Sequence, residues 1–150
     1  MTKKKNEILV IHGPNLHLLG KREPHIYGGF SLTAINNELK KKAAKNKTGI
    51  EIIQSNRESE IIDEINSGNY DFLIINPAAY THTSVAIRDA ISAAAKPAIE
   101  VHISNIYKRE EFRKKSLISD VVIGVISGLG IQSYLLAFDA AMELLKTTKT

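Results

Sequence analysis

Five short apolar runs, each followed by a segment of different period, constrain this chain more than any other feature. The first is Ile8-Leu9-Val10-Ile11, four apolar residues of which three are β-branched, a composition that favours strand. Ile50 to Gln54, Phe72 to Ile75, Ala98 to Ile103 and Val121 to Ile126 read as the second to fifth strands. Phe72 to Ile75 is apolar without interruption, as in parallel strands buried on both faces. Between the runs lie helical patterns. Ser31 caps a helix carrying Leu32, Ile35, Leu39 and Ala43 and ending near Asn46 to Gly49. Ser59 to Ser67 and Ser84 to Ala95 read as the next two helices, Arg109 to Lys115 as a short charged one, and Ile131 to Leu145 as the last. Alternation of this kind predicts right-handed crossovers in a parallel sheet. The expected architecture is a flavodoxin-like three-layer α/β sandwich with strand order 2-1-3-4-5, a single domain over residues 1–150.

In such sheets ligands bind beyond the carboxyl ends of the strands, where the strand order reverses. That rule gathers three segments: the loop after the first strand, Asn76 to Thr83, and His102 to Tyr107. The first is too long for a mere connection, since most loops in compact domains run about 4–6 residues. From the break at Gly13-Pro14 to Tyr27 it carries Asn15, His17, Lys21, Arg22, Glu23 and His25. Its expected task is to deliver a base to a site whose floor is built elsewhere.

Composition removes whole classes of function. With no cysteine there is no disulfide framework, thiol nucleophile or Cys-bearing zinc site. The apolar run behind Lys3-Lys4-Lys5 stops after four residues, too short for a signal peptide or membrane span, so a cytoplasmic protein is expected. The net charge of +4 sits partly in basic tails, about 1–6 and 146–150, expected to be mobile. Lys40-Lys41-Lys42, Lys45 and Lys47 lack interleaved aromatics and read as a solvated helix face, not a nucleic-acid surface. His12, His17 and His25 lack the spacing and partner carboxylates of a metal site. Gly128-Leu129-Gly130 lacks the third glycine of a dinucleotide fingerprint and follows the last strand; close strand-to-helix packing explains it better.

The chemical candidates each carry two readings. Glu100 and His102 alternate along the fourth strand and so share a face. A carboxylate beside an imidazole fixes its tautomer and raises its basicity, as acid–base chemistry requires; a buried structural pair is the other reading. Arg109 and Arg113, four apart on the charged helix, point to an anion between them, or else belong to a salt-bridged surface helix with Glu110, Glu111, Lys114 and Lys115. Asn76, Thr81, His82, Thr83 and Ser84 lie at a strand-to-helix junction, where hydroxyls and free backbone N–H groups either cap or bind a ligand. Tyr27 is either a packed loop anchor or a base. A tyrosinate at neutral pH needs about 4 kcal/mol of stabilisation, which nearby guanidinium groups such as Arg22 can supply.

Three blocks, in order, resemble the type II 3-dehydroquinate dehydratases over nearly the whole chain. They are Gly13-Pro14-Asn15-Leu16 with Gly20-Lys21-Arg22-Glu23-Pro24 and Ile26-Tyr27-Gly28; Asn76-Pro77-Ala78-Ala79-Tyr80-Thr81-His82-Thr83-Ser84; and Glu100-Val101-His102-Ile103-Ser104-Asn105 running into Arg109-Glu110-Glu111-Phe112-Arg113. The resemblance implies dehydration of 3-dehydroquinate to 3-dehydroshikimate through an enolate, without cofactor, Schiff base or metal. It makes Tyr27 the base, with Arg22 and Arg109 favouring the tyrosinate, and Asn15 the holder of a water at the enolate oxygen. His102, oriented by Glu100, would protonate the departing hydroxyl. Asn76, His82, the Ile103–Ser104 backbone and Arg113 would bind the anionic substrate, under a loop closing from about Gly20 to Gly28. It further implies a dodecamer of four trimers, in which Asp89 reaches the neighbouring subunit's site. The family more often carries Asn where His12 and His17 stand. The competing expectations are the same reaction in quinate catabolism, and a non-catalytic flavodoxin-fold binding module. A receiver domain would need clustered acids after the first strand, and a flavin protein a phosphate-cradling loop; His12-Gly13-Pro14 offers neither.

Overall fold

The computed structural model describes residues 4–21 and 23–147. Arg22 and the outer ends of both basic tails lie outside the described residues. Five strands, β1 (Glu7–His12), β2 (Gly49–Gln54), β3 (Phe72–Asn76), β4 (Ala98–His102) and β5 (Gly124–Ser127), form one parallel sheet in the order β2-β1-β3-β4-β5. The helices are α1 (Pro24–Tyr27), α2 (Leu32–Lys45), α3 (Glu58–Asn66), α4 (Val85–Ala94) and α5 (Ile131–Thr147). None among the described residues is long and apolar enough to cross a membrane.

The period-2 alternation of each strand divides the core into two layers. Ile8, Val10, Phe72, Ile74, Ile99 and Val101 meet Leu39 of α2 and Tyr134 and Phe138 of α5 on one face. Leu9, Ile11, Leu73 and Ile75 meet Ile61 and Ile65 of α3 and Ile87 and Ile91 of α4 on the other. Glu100 and His102 alternate with Ile99 and Val101, so they point to the α3–α4 side, where all of β4 is buried. Local chemistry sets the helix starts: the Ser31 and Ser84 hydroxyls accept from the Ala34 and Ile87 amides at 3.1 and 2.9 Å.

Two expected elements differ. The fifth strand begins at Gly124, not Val121. Ser116 and Ser119 donate their hydroxyls to Glu100, and Val121 N–H turns back to the Ile118 carbonyl. The chain is therefore held in a turn until Gly124 reaches register with Ile99. The charged helix from Arg109 to Lys115 is instead two 3₁₀ turns, Ile106–Lys108 and Glu111–Lys114, with Arg109 between them in extended backbone (φ −105°, ψ −163°). Arg109 and Arg113 therefore do not share a helical face, and the expectation of an anion between them loses the spacing it was drawn from. The long loop also holds more structure than its sequence pattern shows, a 3₁₀ turn at Leu16–Leu18 and the single helical turn α1.

Candidate active site

At the carboxyl ends of β1, β3 and β4 the chain leaves a cleft, the place where ligands bind in sheets of this order. Its walls come from the three segments that the sheet order designates. Gly13 ties the first to the second. Its N–H donates to the Asn76 carbonyl at 2.7 Å, and a Cβ there would stand 2.5 Å from the Pro77 carbonyl oxygen. Only glycine allows so close an approach. Asn15 then adopts a left-handed conformation (φ 68°), which Asn tolerates better than most residues. Its N–H donates to Asn56 Oδ1 at 2.9 Å, and Gln54 Nε2 donates to both Asn56 Oδ1 and the Gly13 carbonyl. Leu16 and Leu19 anchor the loop in the core.

Tyr27 lies on α1 and lines the cleft. The Arg109 guanidinium carbon stands 5.0 Å from the centre of its ring, within cation–π range. Arg109 also donates from Nη1 to Ser104 Oγ at 3.4 Å, while its Nε is buried without a partner among the described residues.

From β4, His102 lines the cleft, with Glu100 buried behind it. His102 Nε2 donates to Glu100 Oε2 at 2.5 Å, leaving Nδ1 as the ring's other nitrogen. Glu100 Oε1 accepts from Ser116 and Ser119 at 3.0 and 2.7 Å. Burial pushes the Glu100 carboxyl upward. The bond to His102, that ring's charge and the two serine hydroxyls outweigh it and hold the group below the ordinary carboxylate value. A fully buried carboxylate is thus kept ionised and aimed at an imidazole. Ile103 and Ser104 continue the wall, pinned from behind where Gly128 and Gly130 N–H groups donate to the His102 and Ile103 carbonyls. That is the structural use of the Gly128-Leu129-Gly130 turn.

From the β3 segment, Asn76, Ala78, Ala79 and His82 line the cleft. Asn76 Oδ1 accepts from the Ala78 N–H at 3.0 Å, a local turn that leads into the 3₁₀ turn Ala78–His82. His82 donates from Nδ1 to the Lys115 carbonyl at 2.8 Å. Burial lowers its pKa, and the Lys115 bond opposes the shift. Ser84 caps α4; Thr81 is fully buried, its carbonyl accepting from the Leu117 N–H and its Oγ1 meeting no partner among the described residues. Arg113 lines the cleft while its Nε pairs with Glu110, and Lys114 pairs with Glu111. The segment thus carries ion pairs, Arg113 with Glu110 and Lys114 with Glu111, on 3₁₀ turns and not on a surface helix, and Arg113 also faces the cleft.

The cleft thus gathers Asn15, Tyr27, Asn76, His82, His102, Ile103, Ser104, Arg109 and Arg113. Asp89 is exposed on α4 and outside it, and Arg22 lies outside the described residues. Sequence reasoning missed Ser116, Ser119, Gln54 and Asn56, which hold the site from behind. It also missed Tyr134, whose apolar ring at a core position of α5 conceals the work of its hydroxyl. No spacing signal marks these residues, because each meets its partner only through the sheet.

A parallel 2-1-3-4-5 sheet bearing a carboxylate–imidazole pair, a tyrosine and two arginines around one cleft defines the class: a flavodoxin-like α/β protein equipped for proton transfer on an anionic small molecule. The model of the Dehydroquinase class II family matches residues 6–142. A 3-dehydroquinate dehydratase of Francisella philomiragia is 57% identical over 137 residues, 91% of this chain and 94% of the relative. One of Legionella pneumophila is 54% identical over 143 residues, 93% and 99% of the two chains. Among solved structures, the type II dehydroquinase of Butyrivibrio crossotus superposes with a TM-score of 0.89 at 43% identity, covering 91% of this chain and 97% of that one. That of Propionibacterium acnes gives 0.87 at 39%, covering 93% and 98%. The chain belongs to the class II dehydroquinase family.

Proposed function

We propose that this chain is a hydro-lyase that converts 3-dehydroquinate to 3-dehydroshikimate in the shikimate pathway, using one catalytic domain in the cytoplasm. The observation that carries the reading is that one cleft is lined both by His102, backed by Glu100, and by Tyr27 beneath the Arg109 guanidinium. Such a pairing separates the two proton transfers an elimination needs.

In this mechanism Tyr27, as tyrosinate, removes the proton alpha to the ketone. Arg109 and Arg22 stabilise the phenolate charge. Asn15 holds a water that stabilises the enolate oxygen. His102, held through Nε2 by Glu100, delivers a proton from Nδ1 to the departing hydroxyl; the enolate collapses and water leaves. Arg113 binds the carboxylate, and Asn76, His82 and the Ile103–Ser104 backbone bind the hydroxyls. Closure of the segment 20–28 excludes water from the charged intermediates. In the assembly we infer, a dodecamer of four trimers, Asp89 reaches the neighbouring subunit's cleft; its exposure on α4 supports that role.

The test is an absorbance assay for the conjugated enone product, run on 3-dehydroquinate with a chelator present. Turnover by the native chain, with loss of turnover but retained substrate binding in Tyr27→Phe, is expected. No product from the folded native protein overturns the activity. Near-native turnover by Tyr27→Phe removes that side chain as the base.

A further inference from the structure

His12 has no place in the mechanism above, yet it is fully buried at the end of β1 and sits in a chain of hydrogen bonds whose direction follows from the oxygen that Asn36 turns toward it. Its Nε2 lies 2.8 Å from Asn36 Oδ1 on α2. A carbonyl oxygen only accepts, so Nε2 carries the proton and Nδ1 presents a lone pair. Nδ1 lies 3.0 Å from the Tyr134 hydroxyl oxygen, so Tyr134 donates to it. The Tyr134 oxygen is then left as an acceptor, and Asn76 Nδ2 donates to it at 2.9 Å. Asn76 Oδ1 is taken by the Ala78 amide. The sequence of donors runs Asn76 to Tyr134 to His12 to Asn36. It ends by orienting the amide of a residue that lines the cleft.

We propose that His12 is a positioning residue for substrate recognition: its Nδ1 acceptor fixes the direction of the Tyr134 hydroxyl, which in turn fixes the Asn76 amide. One Asn76 N–H is committed to Tyr134 and the amide oxygen to Ala78. The second N–H is left as the donor that Asn76 offers the cleft, so the substrate must meet it with an oxygen lone pair. Were the Tyr134 O–H to rotate toward Asn76, donor would face donor, and the amide would keep the Ala78 bond alone to hold it. Ordering of this kind lowers the cost of binding without touching the ligand. The inference rests on the activity proposed above for its kinetic arm and on the geometry alone for its spectroscopic arm.

The experiment has two arms. Nitrogen-15 NMR of the native protein reads the His12 tautomer directly; protonated Nε2 with unprotonated Nδ1 is expected, and the opposite tautomer overturns the proposal whatever the enzyme turns over. Steady-state kinetics on 3-dehydroquinate then compare variants whose fold is checked by melting. Loss of one neutral hydrogen bond predicts that His12→Leu and Tyr134→Phe each lower kcat/KM about three- to tenfold, mainly through KM. The double variant should lose no more than either single one. His12→Asn, which puts an acceptor oxygen near the position of Nδ1, should restore KM to within about twofold, and His12→Gln, whose amide sits near Nε2, should not. An inactive native protein would defeat the assigned substrate, not the tautomer result. An active native protein with an unchanged KM in both His12→Leu and Tyr134→Phe would defeat this inference alone.

Discussion

Acid should weaken this fold through His12, and the effect can be isolated. The ring is fully buried, and that burial lowers its pKa from 6.5 to about 4, opposed in part by the bond to Asn36. Between those values the unfolded chain binds a proton at this position and the folded chain does not. Stability therefore rises with pH across the window, and is lost as the pH falls from about 6.5 toward 4. The full span is worth roughly 3 kcal/mol, at 1.36 kcal/mol for each pH unit between 6.5 and about 4. Most of it is gone by pH 4.5. The perturbation is His12→Asn, which removes the titrating ring, and the assay is urea unfolding followed by circular dichroism at pH 7 and pH 4.5, at fixed protein concentration. With a slope of about 2 kcal/mol per molar urea, the native midpoint should fall by roughly 1 M more than that of the variant. Contributions common to both proteins cancel in this difference, including that of Glu100, whose lowered pKa also removes stability as acid is added. Equal falls in the two midpoints would refute the reasoning.

Glu100→Gln keeps the shape of the buried side chain but removes the charge facing His102, and should lower kcat at least about 100-fold with little change in substrate binding; an unaltered kcat would reassign the pair to structure. Arg113→Ala should raise KM by one to two orders of magnitude with a smaller effect on kcat, because a charge-assisted bond to the substrate carboxylate is lost; an unchanged KM would place the carboxylate elsewhere. Gly13→Ala forces a Cβ against the backbone of Pro77, where no flexible side chain can yield. It should cost about 1–3 kcal/mol in chemical unfolding, and native stability would show that the approach of the two loops is looser than described.

What could be read along the chain was whatever depends on period and on local chemistry. The continuous apolar run at Phe72 to Ile75, the Ser31 and Ser84 caps and the alternation of Glu100 with His102 are all set by neighbours a few residues away, and each stands where the sequence puts it. Strand order followed from the same pattern, since right-handed crossovers leave few ways to arrange five parallel strands. The errors fall where a distant partner overrides local preference. Val121 and Val122 have the composition of a strand, but the turn that begins with the serines bound to Glu100 holds them back from the sheet. Arg109 has helical spacing from Arg113, but it stands extended against Ser104 and Tyr27. The donor chain from Asn76 through Tyr134 and His12 to Asn36 spans 122 positions between Tyr134 and His12. Sequence alone determines which faces are apolar and which groups can ionise. Only the folded sheet decides which of those groups meet and in which direction their protons point, because hydrogen-bond geometry is a property of positions in space that no local pattern encodes.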